Sequence, residues 1–285
     1  MKRSKIKDDF RIAGIISSVL LGIYSVSLLV PIAWAMIMSV KSSGEYLLDK
    51  VSFPAISDLH FENYVKAFKE LSTGENTLFK MFFNSVWYSV GATTMGLMAN
   101  VLVGYTMALY KNKFTKLFYY LSMFVLLFPV ISNLSGQFRM SKFLGWYDSP
   151  FTIMSNLGAV GLAPLIYRGI FSGIDKSYYE SAYCDGAGHF TIAFRIMIPQ
   201  IAGPAFAMWI MTFIALWNDA EGVLMFLPSY PTLMSGLYIY QQEATRLLNF
   251  PVLYAGLLMA ATPLVILFAI FNKKIMSINI SGVLK

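Results

Sequence analysis

The sequence predicts an all-α, polytopic membrane protein of six transmembrane helices, and three observations carry that prediction. Of its 285 residues 57% are hydrophobic and only 13% charged, with a mean hydropathy of +0.60, far more apolar than a water-soluble domain. The apolar residues fall into six runs, most of them near the roughly 20 residues a helix needs to cross a hydrocarbon core about 30 Å thick. The runs are continuously apolar, which excludes the short alternating strands of a membrane barrel.

The first run, from Ile12 to Met38, follows the basic stretch MKRSKIKDDFR, so residues 1–11 read as a tail on the cytoplasmic face and residues 12–285 as the membrane domain. The Ala33-Trp34-Ala35 tripeptide resembles a leader-cleavage site, but the apolar stretch is too long for a leader and continues past it as MIMSV. A retained anchor is expected. Next comes an outer loop, 40–80, carrying Glu45, Asp49, Asp58 and Glu62. The second run, Met81 to Tyr110, is punctuated by Asn84, Gly91, Gly96, Asn100 and Gly104; small residues there suit close helix packing.

The third run, Leu117 to Ile131, is the shortest, and the fourth, Phe151 to Ile174, contains Gly158 and Gly161. The fifth and sixth run from Ile201 to Leu227 and from Val252 to Phe271. Pro129, Pro164, Pro204 and Pro263 are expected to bend the helices that contain them.

Charge sets the orientation. With the N-terminus inside, Lys2, Arg3, Lys5, Lys7, Arg11, Lys111, Lys113, Lys116, Arg168, Lys176, Arg195, Lys273, Lys274 and Lys285 all fall on the cytoplasmic side, while most acids fall outside. The net charge of +7 is thus explained by short cytoplasmic segments. No nucleic-acid-binding pattern accompanies it. A single cysteine, Cys184, and two distant histidines, His60 and His189, offer neither a disulfide framework nor a metal motif. No phosphate-binding Gly-x-x-x-x-Gly-Lys-[Ser/Thr] loop is present, nor any hydrolase or metalloprotease signature, so neither ATP hydrolysis nor other catalysis by this chain is expected, and no cofactor bound directly.

One cytoplasmic segment, 175–199, stands out between the fourth and fifth runs. It reads YESAYCDGAGHFTIAFRIMIP from Tyr179 to Pro199. Phe190, Ala193, Phe194, Met197 and Ile198 recur at helical spacing, Tyr179, Ala182 and Tyr183 make a shorter stripe, and Asp185-Gly186 separates them as a turn. A helix, a turn and a helix follow, with Pro199 at the start of the next span. On periodicity alone, an interfacial hairpin lying on the lipid headgroups fits as well.

Spacing adds a second reading. Glu180, Ala182, Asp185, Gly186, Ala187, Phe194 and Pro199 reproduce the pattern Glu-Ala-Ala, Asp-Gly-Ala, phenylalanine, Leu-Pro, with Ser181 in place of an alanine and Ile198 in place of the leucine. This resembles the EAA loop of binding-protein-dependent ABC importer permeases. FENYVKAF from Phe61, FFNSVWYSV from Phe82, GYTMALYK from Gly104, WNDAEGVLMFL from Trp217 and TPLVILFAIFNKKIMSINISGVLK from Thr262 are similar, in order, to the carbohydrate-uptake, MalG-like branch.

The resemblance implies a type I (MetI-like) importer fold in which Glu180, Ser181, Ala182, Asp185, Gly186, Ala187, Phe194 and Pro199 dock on an ATPase subunit, small Ala182 and Gly186 allowing close approach. It further implies a second permease subunit, two ATPase subunits that use the ATP, and an external solute-binding protein, for which the 40–80 loop is a plausible seat. Polar groups within lipid are costly, so Asn218, Asp219 and Glu221 are candidates for the sugar's path, and Trp217 beside them for stacking on a sugar face. Hydrated residues at a helix end, and an interfacial tryptophan, would give the same pattern. A secondary transporter or channel would also explain six spans with buried polar groups, but leaves the EAA-like segment without a role.

Overall fold

The computed structural model describes residues 2–127, 134–247 and 249–276, of which 2–13, 245–247 and 273–276 are described by their backbone alone. In chain order the helices are α1 (Lys2–Ser39), α2 (Ser43–Leu48), α3 (Glu62–Glu70), α4 (Leu78–Leu109), α5 (Lys113–Leu127), α6 (Leu134–Phe143), α7 (Leu162–Ser172), α8 (Ser177–Cys184), α9 (His189–Gln200), α10 (Ala202–Trp217), α11 (Ala220–Phe226), α12 (Leu233–Leu247) and α13 (Phe250–Met276). Three stretches are long and apolar enough to cross a membrane, Gly14–Ser39, Leu78–Leu109 and Phe250–Asn272, and α9 with α10, bent by 75° at their junction, makes a fourth if taken as one span. The chain divides into two compact units, 1–71 with 239–261 and 72–238 with 262–285.

In the first unit the side chains from Gly14 to Ala33 are all exposed, and nearly all are apolar. Such a surface needs lipid around it. Past that stretch the chain is pinned by polar contacts. Asn63 of α3, buried, donates from Nδ2 to the carbonyls of Ser39 (2.9 Å) and Lys41 (2.8 Å) and so closes the C-terminal end of α1. The Ser39 and Tyr64 hydroxyls share a 2.8 Å hydrogen bond, and Tyr46 stacks on Phe250 at 5.2 Å.

Lys41 is wholly buried, its ammonium donating to the Asp49 carbonyl (2.7 Å) and the Ser52 hydroxyl (3.2 Å), with Glu45 3.9 Å away. It acts as a clip holding the 41–52 loop closed. Lys41→Met keeps the apolar stem but leaves those two acceptors unpaired, at a cost of about 1–3 kcal/mol. Faster proteolytic nicking of that loop than in the wild type is the expected result.

In the second unit α4 is the central strut. Thr77 caps it by accepting from the Lys80 N–H, and α4 packs along α7, α10 and α5. Close packing follows from small residues. A Cβ at Gly104 would lie 2.5 Å from the Tyr167 Cβ and 2.9 Å from the Arg168 nitrogen, and one at Gly96 would lie 2.8 Å from the Asn156 carbonyl. The packing role expected of these glycines therefore holds. Asn84 and Ser85, both buried, bind the Pro231 carbonyl (2.9 Å) and the Leu233 N–H (2.8 Å), fixing the start of α12 on α4.

Two expected runs differ from the structure. The fourth is not one helix: residues 150–156 form a tighter 3₁₀ coil, and α7 begins only at Leu162, after Gly158 and Gly161 take positive φ (48° and 125°) that ends any continuous helix. The fifth is interrupted at Asn218 and Asp219. Pro164 and Pro204 each stand in the first turn of their helix, where proline fits without bending it, whereas Pro263 lies inside α13. The end of the third run and Pro129 lie outside the described residues.

Candidate functional site: an exposed hairpin and a polar cleft

The segment singled out in the sequence folds as a hairpin of α8 and α9. Its turn has a specific construction. The Ala187 N–H donates to the Ala182 carbonyl (3.0 Å) and the Gly186 N–H to the Tyr183 carbonyl (3.1 Å), with Gly186 at φ 78°. These are the paired bonds of a Schellman closure, in which the residue after the helix must adopt a left-handed conformation. Asp185-Gly186-Ala187 is thus a helix stop written in sequence, and the Ala182–Ala187 pair supplies the apolar contact that accompanies it.

Beneath the hairpin, Ala182, Ile192, Ala193, Met197 and Ile201 are buried against Val101 and Tyr105 of α4, Tyr167 and Phe171 of α7 and Ala205 of α10. The expected role of Ala182 in admitting a partner is therefore corrected: its methyl is buried in this protein's own core, and Ala187 packs against the same core. The α9 stripe likewise divides. Ala193 and Met197 face inward while Phe190 and Phe194 are exposed, and residues 192–197 wind as a wider π turn.

The outward surface carries Glu180, Ser181, Asp185, Gly186, Phe194 and Pro199 of the residues named from sequence. It also carries Tyr183 and Phe190. Tyr183 stacks on Tyr179 (6.3 Å between centroids) and lies 6.1 Å from the His189 ring, whose Nδ1 shares a 2.9 Å hydrogen bond with the Tyr110 hydroxyl. Partial burial, then the neighbouring Tyr110, push the Tyr179 phenol above its usual range, so it stays neutral. The Asp175 carboxylate, accepting from the Ser177 N–H at 3.0 Å, is held below its ordinary value by that bond. Its contribution to fixing α8 is present above the ordinary carboxylate range and is lost only as pH falls through the depressed value.

The second site is an open cleft of about 410 Å³ in the same unit, lined by Tyr88, Gln137, Thr152, Ser155, Asn156, Asp219 and Glu221 with Leu134, Gly222, Met225 and Phe226. Asp219 and Glu221, named from sequence, are on its wall. Asn218 is exposed and closes α10 by donating to the Ile214 carbonyl (2.8 Å), outside the lining. Trp217 is corrected outright: it is fully buried, its ring 5.7 Å from Phe213 and 6.2 Å from Phe82, and no sugar can reach its face.

Asp219 also accepts from the Gly222 N–H at 2.8 Å as the cap of α11. Asp219→Ala is therefore expected to lose about 1 kcal/mol of stability along with any ligand contact, whereas Asp219→Asn keeps the cap. A thermal melt of the two variants separates the roles. Gln137, Thr152, Ser155 and Asn156 were missed from sequence; for the last three the signal available was the crowding of hydroxyl and amide residues just before two glycines in a run otherwise apolar. Among the described residues, no group of three or more His, Cys, Asp or Glu side chains gathers to hold a metal.

Helices long and apolar enough to cross a membrane, joined by an exposed, closed hairpin, mark the class of polytopic membrane proteins. Residues 100–276 match the family described as binding-protein-dependent transport system inner membrane component, and the chain belongs to that family. It is similar to the diacetylchitobiose uptake system permease protein NgcG of Streptomyces coelicolor, at 26% identity over 96% of this chain and 90% of that protein. It is similar also to the arabinooligosaccharides transport system permease protein AraQ of Bacillus subtilis, at 28% identity over 90% of each. Among solved structures, a chain of a bacterial ABC transporter involved in the import of the acidic polysaccharide alginate shares the fold, with a TM-score of 0.75 and 22% identity over 92% of this chain and 96% of that one.

Proposed function

We propose that this chain is one half of the membrane passage of an ATP-driven carbohydrate importer, a six-span subunit with both termini in the cytoplasm of a bacterial or archaeal cell. The observation that carries the proposal is the hairpin of α8 and α9, whose inner face is locked to α4, α7 and α10 and whose outer face presents Glu180, Tyr183, Phe190 and Phe194. A rigid element seated in a motor subunit would carry the motor's movement into three helices at once. The ATP belongs to that separate subunit, of which two are expected, beside a second permease subunit and an external solute-binding protein docking at the 40–80 loop. The names of the relatives support a glycan as cargo.

The cleft narrows the cargo further. Among the described residues its polar wall offers two carboxylates and neutral hydroxyl and amide groups with no basic side chain, a set that suits the hydroxyls of an uncharged oligosaccharide and repels an acidic one. The path is assigned to Asp219 and Glu221, without Trp217.

Cys184 gives a direct test, since it is exposed on the hairpin and is the one cysteine in the sequence. A thiol-reactive bifunctional crosslinker is expected to join it to the ATPase subunit in the intact assembly. Adducts confined to lipid or to this chain's own helices would remove the docking role.

A further inference from the structure

Where α4 ends, the chain turns through residues 110–112 into α5. Asn112 Oδ1 accepts from the Thr115 N–H (2.8 Å) and the Thr115 hydroxyl donates to the Tyr110 carbonyl (2.7 Å), making the turn rigid. Beside it lies a hollow of about 180 Å³ whose wall, among the described residues, includes Lys111, Lys116 and Arg168 together with Tyr110, Tyr119 and Tyr120, and no acid. The Arg168 guanidinium sits 4.4 Å over the Tyr119 ring, which orients it without neutralising it. Among the described residues none of the three cations has a carboxylate within ion-pair distance. Three unneutralised charges around one hollow call for an anion, and a guanidinium's planar fork matches phosphate oxygens.

The face leading away from the hollow indicates which anion. Tyr120, Met123 and Leu127 are exposed and recur at spacings of three and four on the side of α5 that carries Lys116 and Tyr119, so they form one apolar stripe running on from the hollow. A free phosphate would use the hollow alone, whereas a phospholipid uses both parts. We propose that this hollow is a binding site for the phosphate of an anionic phospholipid, with its acyl chains laid along the α5 stripe. Tyr110 borders the hollow and also bonds His189 of the hairpin, so a bound headgroup braces the hairpin from behind; that second clause rests on the coupling role proposed above.

Native mass spectrometry of the purified assembly, titrated with phosphatidylglycerol or phosphatidylcholine, tests the site. Phosphatidylglycerol is expected to be retained roughly tenfold or more over phosphatidylcholine, and Lys116→Gln with Arg168→Gln to abolish the difference. Lys111→Gln with Lys116→Gln, which leaves half-buried Arg168 in place, should reduce it with no change in folding; Lys113→Gln, outside the hollow, should not. Equal retention by wild type and both double variants would overturn the site, and displacement by millimolar inorganic phosphate or ATP would reassign it to a soluble anion. ATPase rate is read separately: if phosphatidylglycerol is held as expected but leaves that rate unchanged, the lipid site stands and its link to the hairpin falls.

Discussion

Phe194→Asp is expected to abolish ATP-driven uptake while leaving the protein folded and inserted. The ring is 47% exposed on the outer face of α9, one helical turn from Phe190, which is 82% exposed. Rings exposed to that extent leave much of their apolar surface uncovered by this chain, and burying one in a partner's groove is worth about 1.5–3 kcal/mol. Placing a carboxylate in the same groove forfeits that gain and adds a desolvation cost of at least a few kcal/mol. A combined loss of about 4 kcal/mol is nearly a thousandfold in docking affinity. Ile192, two residues earlier and fully buried, provides the contrast: Ile192→Asp should destroy the fold itself, so that the protein is not recovered. Uptake of a labelled oligosaccharide, with co-purification of the ATPase subunit, reads the effect. Wild-type uptake by the Phe194→Asp variant would remove the hairpin from the coupling route.

The parts of this molecule visible in its sequence are those written in local chemistry. The long stretches at Gly14–Ser39, Leu78–Leu109 and Phe250–Asn272 follow from apolar length, and the Asp185-Gly186 turn follows from glycine's tolerance of a left-handed backbone. What escaped was set by single side chains acting on the backbone. The Thr152 hydroxyl donates to the Trp146 carbonyl and the Ser155 hydroxyl to the Thr152 carbonyl (2.6 Å), local bonds that tighten residues 150–156 where averaged hydropathy sees only an apolar run. Asn218 and Asp219 act likewise, one bonding back into α10 and the other capping α11, so the fifth run breaks where its polar residues spend their hydrogen bonds on the backbone. Trp217 was misjudged for a different reason. Sequence places it next to Asn218 and Asp219, but one helical step of about 100° turns its ring toward Phe82 and Phe213 instead of the cleft. Facing, unlike composition, depends on the neighbours that α4 supplies.

Gly104→Val should give a large loss of stability. Most glycines here have room: a Cβ at Gly169 on α7 would meet nothing within 4 Å. At Gly104 it would meet the Tyr167 Cβ at 2.5 Å and the Arg168 nitrogen and Pro164 carbonyl oxygen at 2.9 Å, all of them backbone or the stem of a side chain, none able to swing aside. Relief requires α7 to move off α4. Overpacking of this kind costs about 1–3 kcal/mol for a modest insertion, and a β-branched side chain belongs at or beyond the top of that range. The damage also reaches the hairpin, because Tyr167 and Phe171, which α7 would carry away, form with Tyr105 the floor on which Ala182 and Ile192 rest. Gly104→Ala is therefore expected to lower the melting temperature and to weaken the coupling of ATP hydrolysis to uptake, and Gly104→Val to yield little folded protein. Gly169→Ala should melt within experimental error of the wild type. A Gly104→Val variant that melts with the wild type would mean that α4 and α7 do not cross at this point, and the rigid floor on which the hairpin's mechanical role depends would be gone with it.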